Sequence, residues 1–286
     1  MRVLVVGSTG TIGHQLSVAL SQNGVEVLAT SRKTTLDKNL IQLDLADISG
    51  LVEVIKKQKM FDVAVLCAGV TNLRECDRDR EATIQINTNA QVALTESLLD
   101  GGTKKVVYLS SNRVFNGKAA SEHKFAEYSF TTEYGRQKAT AETELLNLGQ
   151  AIRIIRLTEV LSEDNSLLKD WVSKLRLGQE IKAFVDVMVS PVALDDAVKA
   201  IADVVEGESE SVTQFSATDE ISYFDEAQFV AKFLRVDERL VIAQNAEEVG
   251  ETPLEHASLE CSKFRSVYPS SSAVALQKVL EKMVTR

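Results

Sequence analysis

The sequence predicts an α/β protein in which a parallel sheet is covered by helices on both faces. Over residues 1–160, short runs rich in β-branched residues alternate with longer amphipathic runs. Several short runs are apolar throughout, as expected for parallel strands buried on both faces. The predicted strands are Val3–Val6, Val25–Thr30, Ile41–Leu43, Val63–Cys67, Val106–Ser110 and Ile152–Arg156. The predicted helices are Ile12–Gln22, Gly50–Lys57, Ala82–Leu99 and Tyr134–Leu148. This alternation predicts a doubly wound sheet with right-handed crossovers.

The pattern changes after Arg156, where helical runs surround one candidate strand, Val212–Ser216. The helical runs are Ser166–Leu177, Val192–Val205, Tyr223–Phe233 and Ser272–Val284. We expect a smaller α+β lobe whose strand is too short to extend the first sheet. The predicted domains are residues 1–158 and 159–286, with a helix at 192–206 that returns to the first domain.

Composition excludes several classes of protein. The chain has 286 residues, with 32 Lys and Arg against 41 Asp and Glu and a net charge of −9. That balance argues against a nucleic-acid partner, which needs a dense basic surface. Three cysteines without a C-x-x-C pair and three separated histidines predict no disulfide framework and no metal site. No signal peptide and no run of about 20 apolar residues is present, so we expect a cytoplasmic protein without a membrane partner.

A glycine-rich turn follows the first predicted strand and opens the first helix. In a strand–turn–helix context, such glycines allow a tight turn and a close approach to a pyrophosphate. The helix start also offers free N–H groups and a positive dipole end. The turn predicts a Rossmann-type dinucleotide site, and its cofactor-binding residues are Gly7, Ser8, Thr9, Gly10, Thr11, Ile12 and Gly13.

The end of the second predicted strand indicates which dinucleotide binds. NAD sites carry an acid there for the ribose hydroxyls. This chain has Arg32 and Lys33 instead, and a guanidinium fork with an ammonium suits a 2′-phosphate. We therefore expect NADP(H), with Arg32 as the main determinant and a solvated basic turn as the alternative.

Tyr134 and Lys138 are four residues apart at the start of a helical run, so both side chains leave one face. A free tyrosine has a pKa near about 10, too high for efficient proton transfer at neutral pH. The ammonium of Lys138 and an oxidised nicotinamide would both lower it. We predict that Tyr134 is a general acid for a carbonyl oxygen and that Lys138 also holds ribose hydroxyls.

The G-x-x-G-x-x-G turn with this Tyr-x-x-x-Lys pair resembles the short-chain dehydrogenase/reductase superfamily. The resemblance implies further cofactor-binding residues: Asp44 and Leu45 after the third strand, Cys67, Ala68 and Gly69 after the fourth, Asn87 in the next helix, and Leu109 in the fifth strand. It also implies a catalytic hydroxyl three residues before the Val of a Val-Phe-x-Gly turn, which selects Ser111. Ser111, Tyr134 and Lys138 are thus the predicted catalytic residues.

Three segments resemble the dTDP-4-dehydrorhamnose reductase family more narrowly. They are residues 111–117, 134–139 and 190–196. The resemblance implies reduction of the 4-keto group of a nucleotide-activated 6-deoxysugar with NAD(P)H, and together with Arg32 it predicts an NADPH-dependent reductase. Gln15 replaces a Glu that some members use in a metal-bridged dimer, so magnesium is not carried over, while a homodimer stays open.

Two other functions stay open. One is a nucleotide-sugar epimerase or dehydratase of the same superfamily; dehydratases usually carry an acidic pair beside the catalytic hydroxyl, which Ser111-Asn112-Arg113 lacks. The other is a non-catalytic NADP-binding regulatory subunit, since a fold does not determine a function. Candidate donors for the substrate's diphosphate are Lys169, Lys174, Arg176, Lys182, Lys263 and Arg265.

Overall fold

A computed structural model describes residues 1–33, 40–261, 264 and 267–284. The strands are β1 (Arg2–Val6), β2 (Glu26–Ser31), β3 (Leu40–Gln42), β4 (Val63–Leu66), β5 (Lys105–Ser111), β6 (Ile152–Leu157), β7 (Val160–Leu161), β8 (Ile181–Phe184), β9 (Met188–Val189), β10 (Val192–Ala193), β11 (Val212–Phe215), β12 (Ile221–Ser222) and β13 (Val241–Gln244). The helices are α1 (Thr11–Gln22), α2 (Ile48–Lys56), α3 (Leu73–Arg78), α4 (Arg80–Ile84), α5 (Ala90–Asp100), α6 (Glu133–Asn147), α7 (Ser166–Arg176), α8 (Leu194–Glu206), α9 (Tyr223–Leu234) and α10 (Ser272–Val284).

Seven strands form one sheet in the order β11-β6-β5-β4-β1-β2-β3. The β1–β2, β1–β4, β2–β3 and β4–β5 pairs are parallel. Strands β1 and β4 are buried almost throughout, as expected where helices cover both faces of a sheet. The order reverses direction at β1, and such a switch point is where doubly wound folds bind ligands. The predicted Rossmann-type α/β fold is confirmed.

One prediction about the sheet is wrong. The strand at Val212–Phe215 was expected to lie in the smaller lobe, but it forms the outer strand of the large sheet beside β6. The Ile154 N–H donates to the Ser211 carbonyl, and the Thr158 N–H donates to that of Phe215. The two donors and the two acceptors are each four residues apart in the same direction, so this pair is also parallel. Four residues suffice for an edge strand because only one side must pair.

The chain divides into two compact units. The first consists of residues 1–115, 127–156 and 198–213, and the second of residues 116–126, 157–197 and 214–286. Both units are discontinuous in the chain, whereas the sequence predicted a boundary between 158 and 159 with only the helix at 192–206 returning to the first domain. The part of α8 from Val198 onward belongs to the first unit, and its first turn belongs to the second.

Each unit has its own apolar core. In the first, the apolar side chains of β1, β4 and β5 pack with those of α2 and α5, including the buried Leu4, Leu94 and Tyr108. In the second, α7, α9 and α10 pack around Trp171, whose ring meets that of Tyr223 edge to face at 6.4 Å. Three two-stranded sheets, β7–β10, β9–β12 and β8–β13, complete this unit. Within the described parts of the chain, no helix has the length and apolar character needed to cross a membrane.

Glu226 in α9 should make the second unit less stable as the pH rises. Its side chain is 1% exposed, and its Oε2 has no hydrogen-bond partner among the described residues. Burial, and next the charge of Glu159, raise the pKa of Glu226 well above its usual value. A carboxyl whose pKa is raised on folding supports the fold fully below the unfolded pKa of about 4.3, and this support is lost as the pH rises toward the folded pKa.

Glu226→Gln should therefore raise the melting temperature at pH 8 and flatten its fall between about pH 5 and pH 8. A gain of about 1 kcal/mol would raise the melting temperature by about 2–4 °C. Scanning calorimetry at several pH values measures this, with the exposed Glu144→Gln of the first unit as the control. A variant with the wild-type pH dependence would show that the Glu226 carboxyl does not titrate in this way.

Candidate functional site

The glycine-rich turn between β1 and α1 is held by close backbone packing. Gly7 has φ +86°, and a Cβ there would lie 2.8 Å from the backbone N of Ala68. A Cβ on Gly13 would overlap the carbonyl oxygen of Gly7. Thr30 in β2 accepts the Gly7 N–H through its hydroxyl at 3.1 Å. Only glycine fits at these two positions, and the turn is thereby fixed at the carboxyl ends of β1, β2 and β4.

A cavity of about 470 Å³ adjoins this turn. Nine of the predicted cofactor-binding residues line it: Gly7, Thr9, Gly10, Arg32, Asp44, Leu45, Cys67, Ala68 and Gly69. The sequence did not predict that the other residues lining this cavity would bind the cofactor: Val6, Thr30, Ser31, Leu43, Val70, Thr71, Asn72, Glu75 and Ile86. Thr30 and Ser31 end β2, and Val70, Thr71 and Asn72 follow β4, so their place at the carboxyl end of a strand was the signal that could have found them.

Arg32 is exposed and lines the cavity. Among the described residues, its guanidinium has no hydrogen-bond or ion-pair partner. Lys33 is also exposed, and its backbone N–H donates to the Ser31 hydroxyl at 3.0 Å. Asp44 accepts the Ala46 N–H at 3.0 Å and keeps an exposed carboxylate at the cavity wall. The part of the cavity next to the Arg32 guanidinium can therefore accept an anion.

The other predicted residues of the turn have supporting positions. The Ser8 hydroxyl donates to the Thr30 carbonyl at 2.9 Å, which ties the turn to β2. Thr11 and Ile12 form the first turn of α1, where Gly10 is the N-cap and provides no side-chain cap. The first N–H groups of α1 therefore stay available for an anion.

Asn87 holds the loop after β4. It lies in a π-helical turn, Gln85–Asn89, between α4 and α5. Its amide accepts the Val70 N–H at 2.8 Å and donates to the Val70 carbonyl at 2.9 Å. The same amide donates to Gln137 in α6 at 2.8 Å. Asn87 thus connects the cavity wall to the helix that carries Tyr134 and Lys138, and it acts on the cavity through Val70.

Ser111 and Tyr134 meet at the carboxyl end of β5. Both side chains are half-buried, and the Ser111 hydroxyl lies close enough to the phenol to favour its ionisation. Gly135 allows this approach, because a Cβ there would overlap the carbonyl oxygen of Arg113. Thr132 caps α6 by accepting the Gly135 N–H at 3.1 Å. The sequence did not single out Gly135, although a glycine in the first turn of a helix carries a helix-propensity cost that signals a packing reason.

Lys138 lies one turn further along α6 and is buried. Its Nζ donates to the Leu109 carbonyl at 2.6 Å and lies 4.0 Å from the centre of the Tyr108 ring. Burial lowers the pKa of Lys138 to about 7, while the charges of Glu142 and Cys67 oppose that fall.

The phenol of Tyr134 has an unfavourable environment for ionisation. Burial, and next the charge of Cys76, raise the pKa of Tyr134 to about 12, and the nearby Ser111 hydroxyl and the Arg113 guanidinium oppose the rise. The sequence assigned the helpful positive charge to Lys138. In the structure, Arg113 is the cation that lowers the pKa of the phenol.

A buried ion pair supports the same helix. Arg156 in β6 contacts Glu142 in α6 at 2.6 Å, with side chains 2% and 0% exposed. Tyr128 donates its hydroxyl to Glu142 at 3.0 Å, and the rings of Phe115 and Tyr128 cover the guanidinium. Glu142 is four residues after Lys138, so this network holds a negative charge near the amine.

Two of the candidate diphosphate donors of the second unit are engaged in ion pairs. Lys169 pairs with Asp164 at 2.6 Å, and Lys174 pairs with Asp170 at 2.8 Å. Lys169 and Arg176 line a cavity of about 510 Å³ within this unit. Lys182 is exposed in β8, while Lys263 and Arg265 lie outside the described residues.

A family model described as the RmlD substrate binding domain matches residues 1–285. The chain belongs to this family. The predicted family resemblance is thus confirmed, and the match runs over both units of this RmlD-family chain. The spore coat polysaccharide biosynthesis protein SpsK of Bacillus subtilis is 26% identical over 203 residues, which cover 70% of this chain and 68% of that protein.

Two further proteins are similar to this RmlD-family chain. A probable dTDP-4,6-dihydroxy-2-methyloxan-3-one 4-ketoreductase of Streptomyces antibioticus is 25% identical over 207 residues, 71% of this chain and 61% of that protein. A crystal structure of dTDP-4-dehydrorhamnose reductase from Bacillus anthracis, in complex with NADP, superposes with a TM-score of 0.87 at 20% identity, over 98% of this chain and 99% of that chain. At this identity, the likeness to the solved structure establishes the fold.

Proposed function

We propose that this protein is an NADPH-dependent reductase of the 4-keto group of a nucleotide-activated 6-deoxysugar. The observation that carries the proposal is the placement of Ser111 at the end of β5 beside Tyr134, with the buried Lys138 one turn away on the same helix. A general acid and a hydroxyl donor for one carbonyl oxygen are what ketone reduction needs from a protein. The similar proteins named as a 4-ketoreductase and as a reductase in complex with NADP support the substrate class and the cofactor.

The residues of the glycine-lined cavity fit a dinucleotide. Gly7 and Gly13 leave no room for a Cβ, and the start of α1 has uncapped N–H groups for a pyrophosphate. Arg32 would take the 2′-phosphate, and Asp44 would stand beside the adenine. When bound, NADPH would supply a hydride to the carbonyl carbon.

The chain's own side chains would manage the proton. Tyr134 would donate its phenolic proton to the carbonyl oxygen as that oxygen gains negative charge, and the Ser111 hydroxyl would donate a hydrogen bond to the same oxygen. Lys138, anchored on the Leu109 carbonyl, has further N–H groups for ribose hydroxyls. No acidic pair accompanies Ser111 in the sequence, since Asn112 and Arg113 follow it, and this favours a reductase over a dehydratase.

One assay tests the proposed function. The protein is incubated with NADPH and a panel of nucleotide-linked 4-keto-6-deoxysugars, and absorbance at about 340 nm is followed together with the product. We expect one NADPH consumed for each alcohol formed. Product without net NADPH consumption would instead indicate an epimerase or dehydratase, and tight NADP binding without turnover on any sugar would indicate a regulatory subunit. Either result would overturn the proposal.

Arg32→Asp should reverse the choice of cofactor. The substitution removes a guanidinium that can bind a 2′-phosphate and adds a carboxylate that repels the phosphate but accepts the ribose hydroxyls of NADH. We expect NADPH binding to weaken by about 10–100-fold, which is about 1.4–2.8 kcal/mol, with little change for NADH. Fluorescence titration of both cofactors measures the two dissociation constants.

The control for this prediction is Arg78→Asp, which makes the same charge change at an exposed position of α3. It should leave the ratio of the two dissociation constants unchanged. If Arg32→Asp also leaves that ratio unchanged, Arg32 does not recognise the 2′-phosphate.

A further inference from the structure

Arg113 occupies a position next to the two reacting hydroxyls. It lies in the 3-10 turn Asn112–Val114 that follows β5, and the Ser111 hydroxyl accepts its backbone N–H at 3.2 Å. Its carbonyl oxygen lies against Gly135, the residue after Tyr134. The backbone of Arg113 is therefore fixed between Ser111 on one side and the first turn of α6 on the other.

The side chain of Arg113 is half-buried and uncommitted. Among residues 1–33, 40–261, 264 and 267–284, no hydrogen bond or ion pair engages its guanidinium. Desolvated guanidinium groups in proteins are normally paired with an acid or with backbone oxygens. A half-buried arginine that lacks such a partner beside a catalytic pair has its charge available for the reaction.

The surroundings of Tyr134 contain few other charges that could help. Cys76 of α3 and Tyr108 of β5 face the phenol, and negative charge on either of them would oppose its ionisation. On its own helix, Lys138 is bound to the Leu109 carbonyl and packed on the Tyr108 ring. Arg113 is the group that offers a permanent positive charge, because a guanidinium keeps its proton at any pH at which the protein is folded.

We propose that Arg113 acts through Tyr134, its guanidinium stabilising the phenolate that remains after the phenol has given up its proton. This inference rests on the proposed function. As the phenol O–H bond breaks, its proton joins the carbonyl oxygen of the substrate, whose carbon has gained the hydride of NADPH. The substrate becomes an alcohol, the cofactor becomes NADP⁺, and the phenolate is reprotonated from water. Arg113 is thus a positioning residue that supplies positive charge to the Tyr134 phenolate, a role that the sequence assigned to Lys138.

The test compares Arg113→Gln, which removes the charge, with Arg113→Lys, which keeps it. The ionisation of Tyr134 is read without turnover, from the ¹³C resonance of labelled tyrosine Cζ at a pH of about 10.5. Tyr134→Phe removes one of the 5 tyrosine resonances and so assigns the signal. We expect the ionised fraction to fall about tenfold in Arg113→Gln, equivalent to one pKa unit, and to be largely restored in Arg113→Lys. Arg78→Gln, an exposed control in the same unit, should match the wild type.

The kinetics provide the second readout. In Arg113→Gln, kcat for reduction should fall by about 10-fold or more with KM nearly unchanged. The decline of kcat at alkaline pH should begin at a higher pH than in the wild type. An unchanged tyrosine resonance in Arg113→Gln would overturn the inference, and so would a rise in KM alone, which would make Arg113 a substrate contact. If no sugar is reduced by the wild type, the proposed function fails while the resonance still reports on Arg113 and Tyr134.

Discussion

Tyr134→Phe should reduce kcat for ketone reduction by about 10²–10⁴-fold and leave the dissociation constant of NADPH within about twofold. Only the hydroxyl of the side chain is removed, and the ring still fills its place. The carbonyl oxygen would then lack its proton donor, while the residues that line the glycine-rich cavity are untouched. Stopped-flow single-turnover kinetics with saturating NADPH measure the chemical step, and fluorescence titration measures binding.

Two variants make that result specific. Ser111→Ala should cost less, about 10–100-fold, because one hydrogen bond to the oxygen is lost while the proton donor stays. Tyr128→Phe removes a hydroxyl that donates to Glu142, away from the reacting pair. This variant should keep kcat within about threefold of the wild-type value. Full turnover by Tyr134→Phe would remove this residue from the mechanism.

Glu142→Gln should destabilise the protein by about 3–5 kcal/mol, because it leaves the Arg156 guanidinium buried without its carboxylate. Arg156 is 2% exposed and is covered by the rings of Phe115 and Tyr128, so solvent cannot replace the lost partner. Urea unfolding followed by circular dichroism measures the free energy of unfolding.

The control for the buried pair is an exposed one. Asp170→Asn breaks the contact with Lys174 on α7, where both side chains are about half exposed, and should cost less than about 1 kcal/mol. The double variant Glu142→Leu with Arg156→Met removes both charges and should recover much of the stability. A loss below about 1 kcal/mol in Glu142→Gln would show that the pair contributes little to the fold.

The sequence predicted the fold well where its signals are local and repeated. An apolar run such as Val3–Val6 fits a central strand of a parallel sheet, where helices cover both sides of the strand. The glycines after this strand predict the tight turn of a dinucleotide site. The strand Val212–Phe215 was placed wrongly because a four-residue run does not encode which neighbour it pairs with. That choice depends on Ile154 in β6 and on Thr158 directly after it, which lie more than 50 residues earlier in the chain.

The candidate site divides in the same way. Spacing placed Tyr134 and Lys138 on one face of α6, and the counted position of Ser111 puts its hydroxyl against the phenol. Arg113 was missed as a charge for Tyr134 because the direction of a side chain in a turn depends on what packs against it. Here Gly135 lets the helix approach the turn, and no pattern within either segment predicts that contact.

The most direct test of the proposed reduction follows one hydrogen atom. The protein is incubated with NADPH carrying deuterium at the transferable C4 position and with a nucleotide-linked 4-keto-6-deoxysugar, and the product is examined by mass spectrometry and NMR. The account predicts one deuterium per product, bound to the carbon that carried the carbonyl, with an equal amount of NADP⁺ formed. A sugar product without deuterium at that carbon would contradict the account.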